Sequence, residues 1–582
     1  MLCELLQKEV DAGWLEAIPL HEAQARWGSR VAVGRLNIVI APGKKPRLVV
    51  DSSVCGTNSC CQVPESYALP GLQHVRFSFP FRMHNGALAG FSLDIEAAHK
   101  TVRVRERDRG LLGVQHALPD GTLRYLFYRV CPFGAVFSAH WFQRVSAFLI
   151  RMLHPFLYVR HALFMYSDDL LGITEQSVLE ITFALVLSFC VCFGYPISWK
   201  KLQMGPRIIW IGWSFHFGAG GVEVPSDKTS KLLTGLREIL KSDRVDKREL
   251  HRVIGLIQWI LQLFPLLKPW MNTLYCDLHS PLGTNYSMDP GDFPSIASFL
   301  DDALTFTSRP SGTAIPLGSK LLSVRHVDIK RKSDLAQVPL TSKRLWLRVA
   351  DPASSRRRLS AASKQFLLYW KHWAEDPPLL RPLQIPLASP VEAAADAMAS
   401  SNKFAIGGYV KMPSGNLLWF SQSWVMADMQ FTKLELSDDA QSYIASFETL
   451  AQIALLHCAS AVIPFGRLRI RIKSWCDNAG AESVSNKLYT RKYPLCIFAQ
   501  RLALFSAYSS MSLDVSHIPG EYNKDADMLS RIEDFADLPD RFPLSARLVL
   551  DLEQLWFRRS AVSLTPPDFP LRWKIPVNEF FR

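Results

Sequence analysis

Two neighbouring aspartates, Asp168 and Asp169, sit between apolar runs that read as short strands, in Phe164-Met165-Tyr166-Ser167-Asp168-Asp169-Leu170-Leu171-Gly172. Adjacent carboxylates repel, and burying even one is costly unless it is paired or bound to a metal. A tight turn presenting Asp-Asp from an apolar hairpin is therefore a candidate divalent metal site; a solvated turn is the alternative on these residues alone. Asp94 closes another apolar stretch, Gly90-Phe91-Ser92-Leu93-Asp94-Ile95, 74 residues before Asp168. The elements between read as a strand pair and a helix, so both acids can reach one edge of one sheet. A nucleotide polymerase needs this arrangement: two Mg²⁺ ions about 4 Å apart, held by hard oxygen ligands, clamp the attacking 3′-oxygen and the leaving pyrophosphate. Four more acids, Asp396, Glu448, Asp477 and Asp527, are spread over a later α/β pattern. Singly, each reads as a cap or a surface charge.

The elements that must position these acids are legible in outline. Residues 31–40 and 47–51 read as a hairpin with turn residues Pro42-Gly43-Lys44-Lys45-Pro46 at its tip. Residues 88–95 and 124–130 read as strands, Pro132-Phe133-Gly134 breaks the second, and 138–153 has helical apolar spacing. Residues 226–275 look helical, with a cap at Ser226-Asp227 and a second helix over 247–264. Residues 276–385 are less regular, with Arg and Lys clusters at 328–332 and 355–358, and 376–382 reads as a linker. Strands at 404–411 and 416–421, a helix at 440–457, a strand at 467–475, a helix at 494–508, a strand at 511–516 and a helical start near Asp525 follow.

With 582 residues there is room for roughly three to five domains. Apolar residues at 48% and charged residues at 20% exclude a disordered chain. Lys and Arg exceed Asp and Glu by 66 to 53, which makes a polyanion such as nucleic acid a candidate partner. The eleven cysteines form no zinc-binding spacing and are expected to be free thiols. The N-terminus carries charges where a signal peptide needs an apolar core. The uncharged run Ile181–Ile197 is expected to be a buried helix, not a membrane span. The expected location is intracellular, in cytoplasm or nucleus, with no membrane partner and no secretion.

Together, Ser92-Leu93-Asp94-Ile95, Cys131-Pro132-Phe133-Gly134 and Tyr166-Ser167-Asp168-Asp169 resemble the reverse transcriptases of retroelements. Arg47-Leu48-Val49-Val50-Asp51 is similar to their fingers segment, and Trp199-Lys200-Lys201 and Trp210-Ile211-Gly212-Trp213 are similar to the segments leading into the primer grip. The resemblance covers residues 1–275. It implies an α+β and α/β multidomain chain: a right-hand polymerase of fingers and palm (1–225) and helical thumb (226–275), then a connection region (276–385). It also implies that Asp94 and Asp168 are metal ligands with Asp169 supporting them, that Arg47 binds the triphosphate of the incoming nucleotide, and that Phe133 and Gly134 line its pocket. His99 falls where the family carries an aromatic gate against a ribose 2′-hydroxyl; a histidine packed under the sheet is the other reading.

In their order, Asp396, Glu448, Asp477 and Asp527, with His517-Ile518-Pro519-Gly520, Asn523, Ala526-Asp527 and Leu529-Ser530-Arg531, resemble a retroelement RNase H domain over 386–535. That resemblance implies hydrolysis of the RNA of an RNA–DNA hybrid, with the four acids as metal ligands and His517 as the loop histidine that helps product leave. Glu435 competes with Glu448, and Asp525 with Asp527; the helix position favours Glu448 and the Ala-Asp pair favours Asp527. The implied cofactor is Mg²⁺, two ions per site, with Mn²⁺ as a substitute. The implied partners are RNA and DNA template-primers, RNA–DNA hybrid and dNTPs, with the hybrid between the two sites and held by Lys and Arg from 226–385. The wording of the motifs is similar to DIRS-like, LTR-retrotransposon and pararetrovirus polymerases; residues 536–582 are then a tail. A decayed or domesticated copy that binds nucleic acid without catalysis is the competing function.

Overall fold

The computed structural model describes residues 1–40, 46–78, 86–118, 120–325, 327–341, 343–351, 354–377, 380–463 and 470–556. Most of the expected turn at 42–46, the start of the strand expected from 467, part of the 376–382 linker and much of the tail lie outside the described residues. The chain divides into two compact units, Met1–Pro225 with Leu380–Ile385, and Ser226–Leu379 with Pro386–Arg582.

In the first unit, a four-stranded antiparallel sheet runs in the order His161–Tyr166, Asp169–Glu175, Leu88–Asp94, Gln203–Gly205. Leu88–Asp94 is buried at all seven positions, as expected of an apolar strand with neighbours on both sides. Helices Val136–Phe156 and Leu179–Cys192 pack on it, with Phe142, Leu149, Leu153, Val186 and Cys190 against Ala89, Phe91 and Leu93. The second of these helices differs from expectation. It buries only Leu179, Thr182, Val186 and Cys190, and leaves Ile181, Leu185 and Val191 exposed. A helix laid on a sheet buries one stripe, whatever the composition of its outer face. A second sheet carries the hairpin Val33–Val39 and Arg47–Asp51 beside Gly113–Ala117, Leu123–Tyr128 and Leu15–Ala17. Arg381–Pro382, inside the expected linker, pairs with Gly221–Val222 as a sheet edge.

In the second unit, helices Ser226–Ile239, Lys247–Ile260, Met271–His279 and Ala361–Glu375 pack together. Residues 276–385 are more regular than the sequence suggests. Gly283–Met288, Leu345–Ala350, Lys320–Val324 and Val327–Asp328 form a sheet with a core of its own around Leu321, Leu347 and Val349. After residue 385, Glu392–Ser400, Lys403–Lys411 and Leu417–Val425 form an antiparallel meander. Glu392–Ser400 meets Ile470–Cys476, which runs parallel to Met511–His517. Helix Ile444–Val462 packs on this sheet. The stretch Ala440–Val462 is long and apolar enough to cross a membrane, yet 72% of its most apolar window is buried within the fold.

Candidate active sites

The first cluster is built by strand register. Asp94, the last residue of its strand, lies directly opposite Asp169, the first residue of the next. Tyr166 also pairs with Asp169, so Ser167 and Asp168 form a two-residue hairpin loop. Its first residue, Ser167, is left-handed at φ 57°, as such tight loops require. Backbone groups fix the loop: Ile95 N–H donates to the Asp168 carbonyl (3.0 Å), Ser146 Oγ to that of Ser167 (3.0 Å) and Trp210 Nε1 to that of Asp169 (3.2 Å). The three carboxylates are thereby gathered at one strand end, with Asp94 only 6% exposed.

The crowding shows in their protonation. Burial, then the charges of Asp168 and Asp94, push Asp169 up to about 7. Burial and Asp94 also raise Asp168. Among the described residues, Lys201 faces the group: its Nζ is 2.7 Å from Asp94 Oδ1. Burial works against its ammonium, but the hydrogen bond to Asp94 and the charges of all three aspartates raise its pKa. The sequence contains Trp199-Lys200-Lys201 without distinguishing the two lysines; the fold selects Lys201.

The candidate nucleotide-side residues surround a second set of contacts. Val50 N–H, on the strand that begins at Arg47, donates to the Phe133 carbonyl at 2.8 Å. Asn58 donates to the Gly134 carbonyl (3.0 Å) and accepts from Val136 N–H (3.0 Å). Gly134 lies at φ 105°, and a Cβ there would stand 1.9 Å from the Val50 carbonyl oxygen, so only glycine fits. The His99 ring packs 5.0 Å from Phe133 and 5.9 Å from Phe142. Its Nδ1 is buried without a hydrogen-bond partner among the described residues, and burial lowers its pKa against the opposing pull of Asp168. Arg47 itself is exposed on its strand.

The second cluster lies in the 386–535 segment. Asp396, in mid-strand opposite Gly407, is 2% exposed and accepts a hydrogen bond from Ser530 Oγ at 2.6 Å. Burial, then the charges of Asp477 and Asp527, raise Asp396 to about 7. Glu448, 3% exposed, is raised well above the usual carboxylate range by burial and by Asp396 and Asp477. Ligand atoms of Glu448, Cys476 and Asp477 lie within 4.8 Å of one another. Asp527 sits in helix Lys524–Arg531 and accepts from Arg531 Nε at 2.6 Å. Its competitor Asp525 is instead paired with Arg541. The other competitor, Glu435, lies outside any helix or strand, and its N–H donates to the Tyr493 hydroxyl (2.7 Å). His517 is exposed, with Nε2 3.0 Å from the Asp477 carbonyl. Asn478 caps helix Ala479–Lys487 through Gly480 N–H (2.9 Å) and Ala481 N–H (3.1 Å), which fixes the turn after Asp477. Ser530, Arg531 and Cys476 belong to the cluster by contact; the sequence marked the first two only as motif neighbours and the cysteine not at all.

Gly407 holds this cluster together. A Cβ there would meet the Ser530 backbone nitrogen at 2.2 Å, so its absence lets helix Lys524–Arg531 rest on the sheet. Gly407→Ala is expected to displace the helix that carries Asp527, costing about 1–3 kcal/mol of stability and at least about tenfold in any phosphodiester cleavage at this cluster. Thermal melting and a cleavage assay check it; unchanged values in both remove Gly407 from the site's architecture.

No curated protein matches the chain. A solved structure of a foamy viral protease-reverse transcriptase in complex with double-stranded DNA aligns over 88% of this chain and 68% of its own, at 12% identity and a TM-score of 0.40. The segment that carries Asp94, Pro132-Phe133-Gly134 and Asp168-Asp169 is similar to the reverse transcriptase (RNA-dependent DNA polymerase) family, whose model matches residues 58–215.

Proposed function

We propose that this chain is an RNA-directed DNA polymerase that also accepts DNA templates, joined to a hybrid-specific ribonuclease H, and that it replicates a retroelement inside the cell. The observation that carries the reading is the convergence of Asp94, Asp168 and Asp169 at one strand end, within the segment that matches the reverse transcriptase family. Buried Asp94 and half-buried Asp168 and Asp169 face the ammonium of Lys201, and the last two carboxyls are pushed toward protonation. That imbalance fits divalent cations, which prefer hard oxygen donors. Asp94 and Asp168 would hold them, with Asp169 in support; Mg²⁺ is the natural occupant and Mn²⁺ a substitute. When bound, the ions supply activation of the primer 3′-oxygen and neutralisation of the leaving pyrophosphate.

The chain's own residues position the substrates. Arg47 offers a guanidinium fork to the triphosphate, and Phe133 and Gly134 form the floor of the nucleotide pocket. His99, packed on Phe133, stands at the sugar gate. In the second cluster the buried Asp396 and Glu448 lie with the half-buried Asp477 and Asp527, and together they fit the same kind of ion. His517, tied to the Asp477 carbonyl, braces the loop beside it.

The test is primer extension by the purified chain on separate RNA and DNA templates, with Mg²⁺ and with chelator, alongside cleavage of labelled RNA in a hybrid. Mg²⁺-dependent extension on RNA supports the polymerase half, and release of short RNA fragments supports the nuclease half. Tight duplex binding without either activity would replace this reading with a catalytically silent nucleic-acid scaffold.

A further inference from the structure

We infer that Arg244, Arg356 and Arg358 form a platform that grips the phosphodiester backbone of a nucleic-acid duplex. The inference rests on the nucleic-acid reading above and names where in the second unit the phosphates are held. Strands Arg244–Asp246 and Arg356–Arg358 pair antiparallel, with Arg244 opposite Arg358, Val245 opposite Arg357 and Asp246 opposite Arg356. Arg244, Arg356 and Arg358 are exposed, while Val245 and Arg357 point inward. Like charges directly opposite on one face of a ladder destabilise it. Among the described residues none of the three arginines forms an ion pair, so the repulsion between Arg244 and Arg358 is not neutralised by a bound carboxylate.

The nearby acids are committed elsewhere. Asp246 caps helix Lys247–Ile260, accepting from Arg248 N–H (2.8 Å) and Glu249 N–H (3.4 Å). Asp243 pairs with Lys364 at 2.6 Å and feels Arg358 only through space. Asp277 accepts from the N–H and hydroxyl of Ser360 (2.8 and 3.0 Å).

The platform is also rigid, which separates it from a loose basic loop. Arg357 is 2% exposed, and its guanidinium donates to the carbonyls of Leu278 (2.7 Å), Ser354 (2.6 Å) and Arg356 (2.7 Å). Lys247 N–H donates to Ser355 (2.6 Å) and Leu359 N–H to Asp243 (2.9 Å), pinning both ends of the arginine strand. A buried arginine is thus spent on holding the strand that carries Arg356 and Arg358, with Arg358 opposite Arg244 and Arg356 opposite Asp246. Guanidinium forks carried on a strand held in this way suit phosphate oxygens, and an anion across Arg244 and Arg358 removes the repulsion that the fold leaves in place.

The experiment is equilibrium binding of a labelled primer–template duplex to the full chain, by fluorescence anisotropy over a series of KCl concentrations. Each phosphate contact contributes about 0.9 to the slope of log K against log salt, so Arg244→Gln with Arg356→Gln and Arg358→Gln is expected to flatten the slope by about 2–3. Replacing the same three by Lys keeps most of the slope. The Gln variant is expected to melt no lower than the parent, because it removes a like-charge contact. Where the triple variant fails to fold, Arg356→Gln and Arg358→Gln singly decide, each flattening the slope by about 1. An unchanged slope overturns the inference and leaves the polymerase reading standing. So does a variant that binds duplex normally but loses polyglutamate, which assigns the face to an acidic protein. A parent chain that binds no duplex at all sinks the nucleic-acid reading and this inference with it.

Discussion

Asp168→Asn is expected to lower primer extension on an RNA template by about 10³-fold while hybrid cleavage stays within about twofold. The loss is chemical because the hairpin does not depend on the carboxylate. The bonds that fix the turn, from Ile95 to Asp168, from Ser146 to Ser167 and from Trp210 to Asp169, all end on backbone carbonyls. Asn has the same size, so these bonds survive. Burial and the neighbouring Asp94 raise Asp168, so removing its charge relieves repulsion. The metal-free variant is therefore expected to melt at or above the parent's temperature. Asp168 and Asp169 act as one unit, so the double Asn variant is expected to lose little more than the single one. Single-nucleotide incorporation and thermal melting measure both effects. Extension that survives in the double variant would sink the assignment of this cluster.

Much of this first site was legible before any fold. An apolar run ending in Asp94 and apolar runs on both sides of Asp168-Asp169 marked the strands, but the loop is Ser167-Asp168, and the register that sets Asp94 against Asp169, the first residue of the next strand, comes from the fold. Lys201 was not legible, because sequence cannot say which of two adjacent lysines turns toward Asp94. In the second site, the strand that carries Asp396 was not marked by the sequence, for a physical reason. It reads Glu-Ala-Ala-Ala-Asp-Ala-Met-Ala-Ser, and alanine is a poor strand former. What makes a strand of it is pairing with Lys403–Lys411 along its whole length, a tertiary effect. The Ser530 hydrogen bond to Asp396 spans 134 residues and depends on the bare Gly407 surface, which no local pattern reveals. The sheet within 276–385 was hidden because its pairing shifts register between Leu321 and Ser323, which breaks the alternation that marks a strand. The exposed outer face of Leu179–Cys192 was misjudged because composition alone does not tell a two-sided helix from a one-sided one.

Glu448→Gln is expected to reduce hybrid cleavage by about 10³-fold and, in the absence of divalent cations, to make the protein more stable at pH 8. Both effects come from one charge. Glu448 is buried, and burial together with Asp396 and Asp477 raises its pKa well above the ordinary 4.5. A carboxyl whose folded pKa exceeds its unfolded value contributes stability that is fully present below the unfolded pKa and is lost as pH rises through the folded one. Asp396, raised from 3.8 to about 7, adds to the same trend. Metal-free parent protein should therefore melt progressively lower as pH rises from about 4 to 8, and divalent cation should restore the melting temperature by compensating the ionised group. The Gln variant lacks one of these unfavourable ionisations, so its melting temperature depends less on pH and responds less to cation. It keeps the shape that packs beside Cys476. Melting curves across this pH range, with chelator and with Mg²⁺, separate the outcomes. A parent whose metal-free stability rises steadily with pH would show that these carboxylates are already neutralised by the protein. The cluster would then be a structural network with no vacancy for an ion, and the ribonuclease assignment would fall with it.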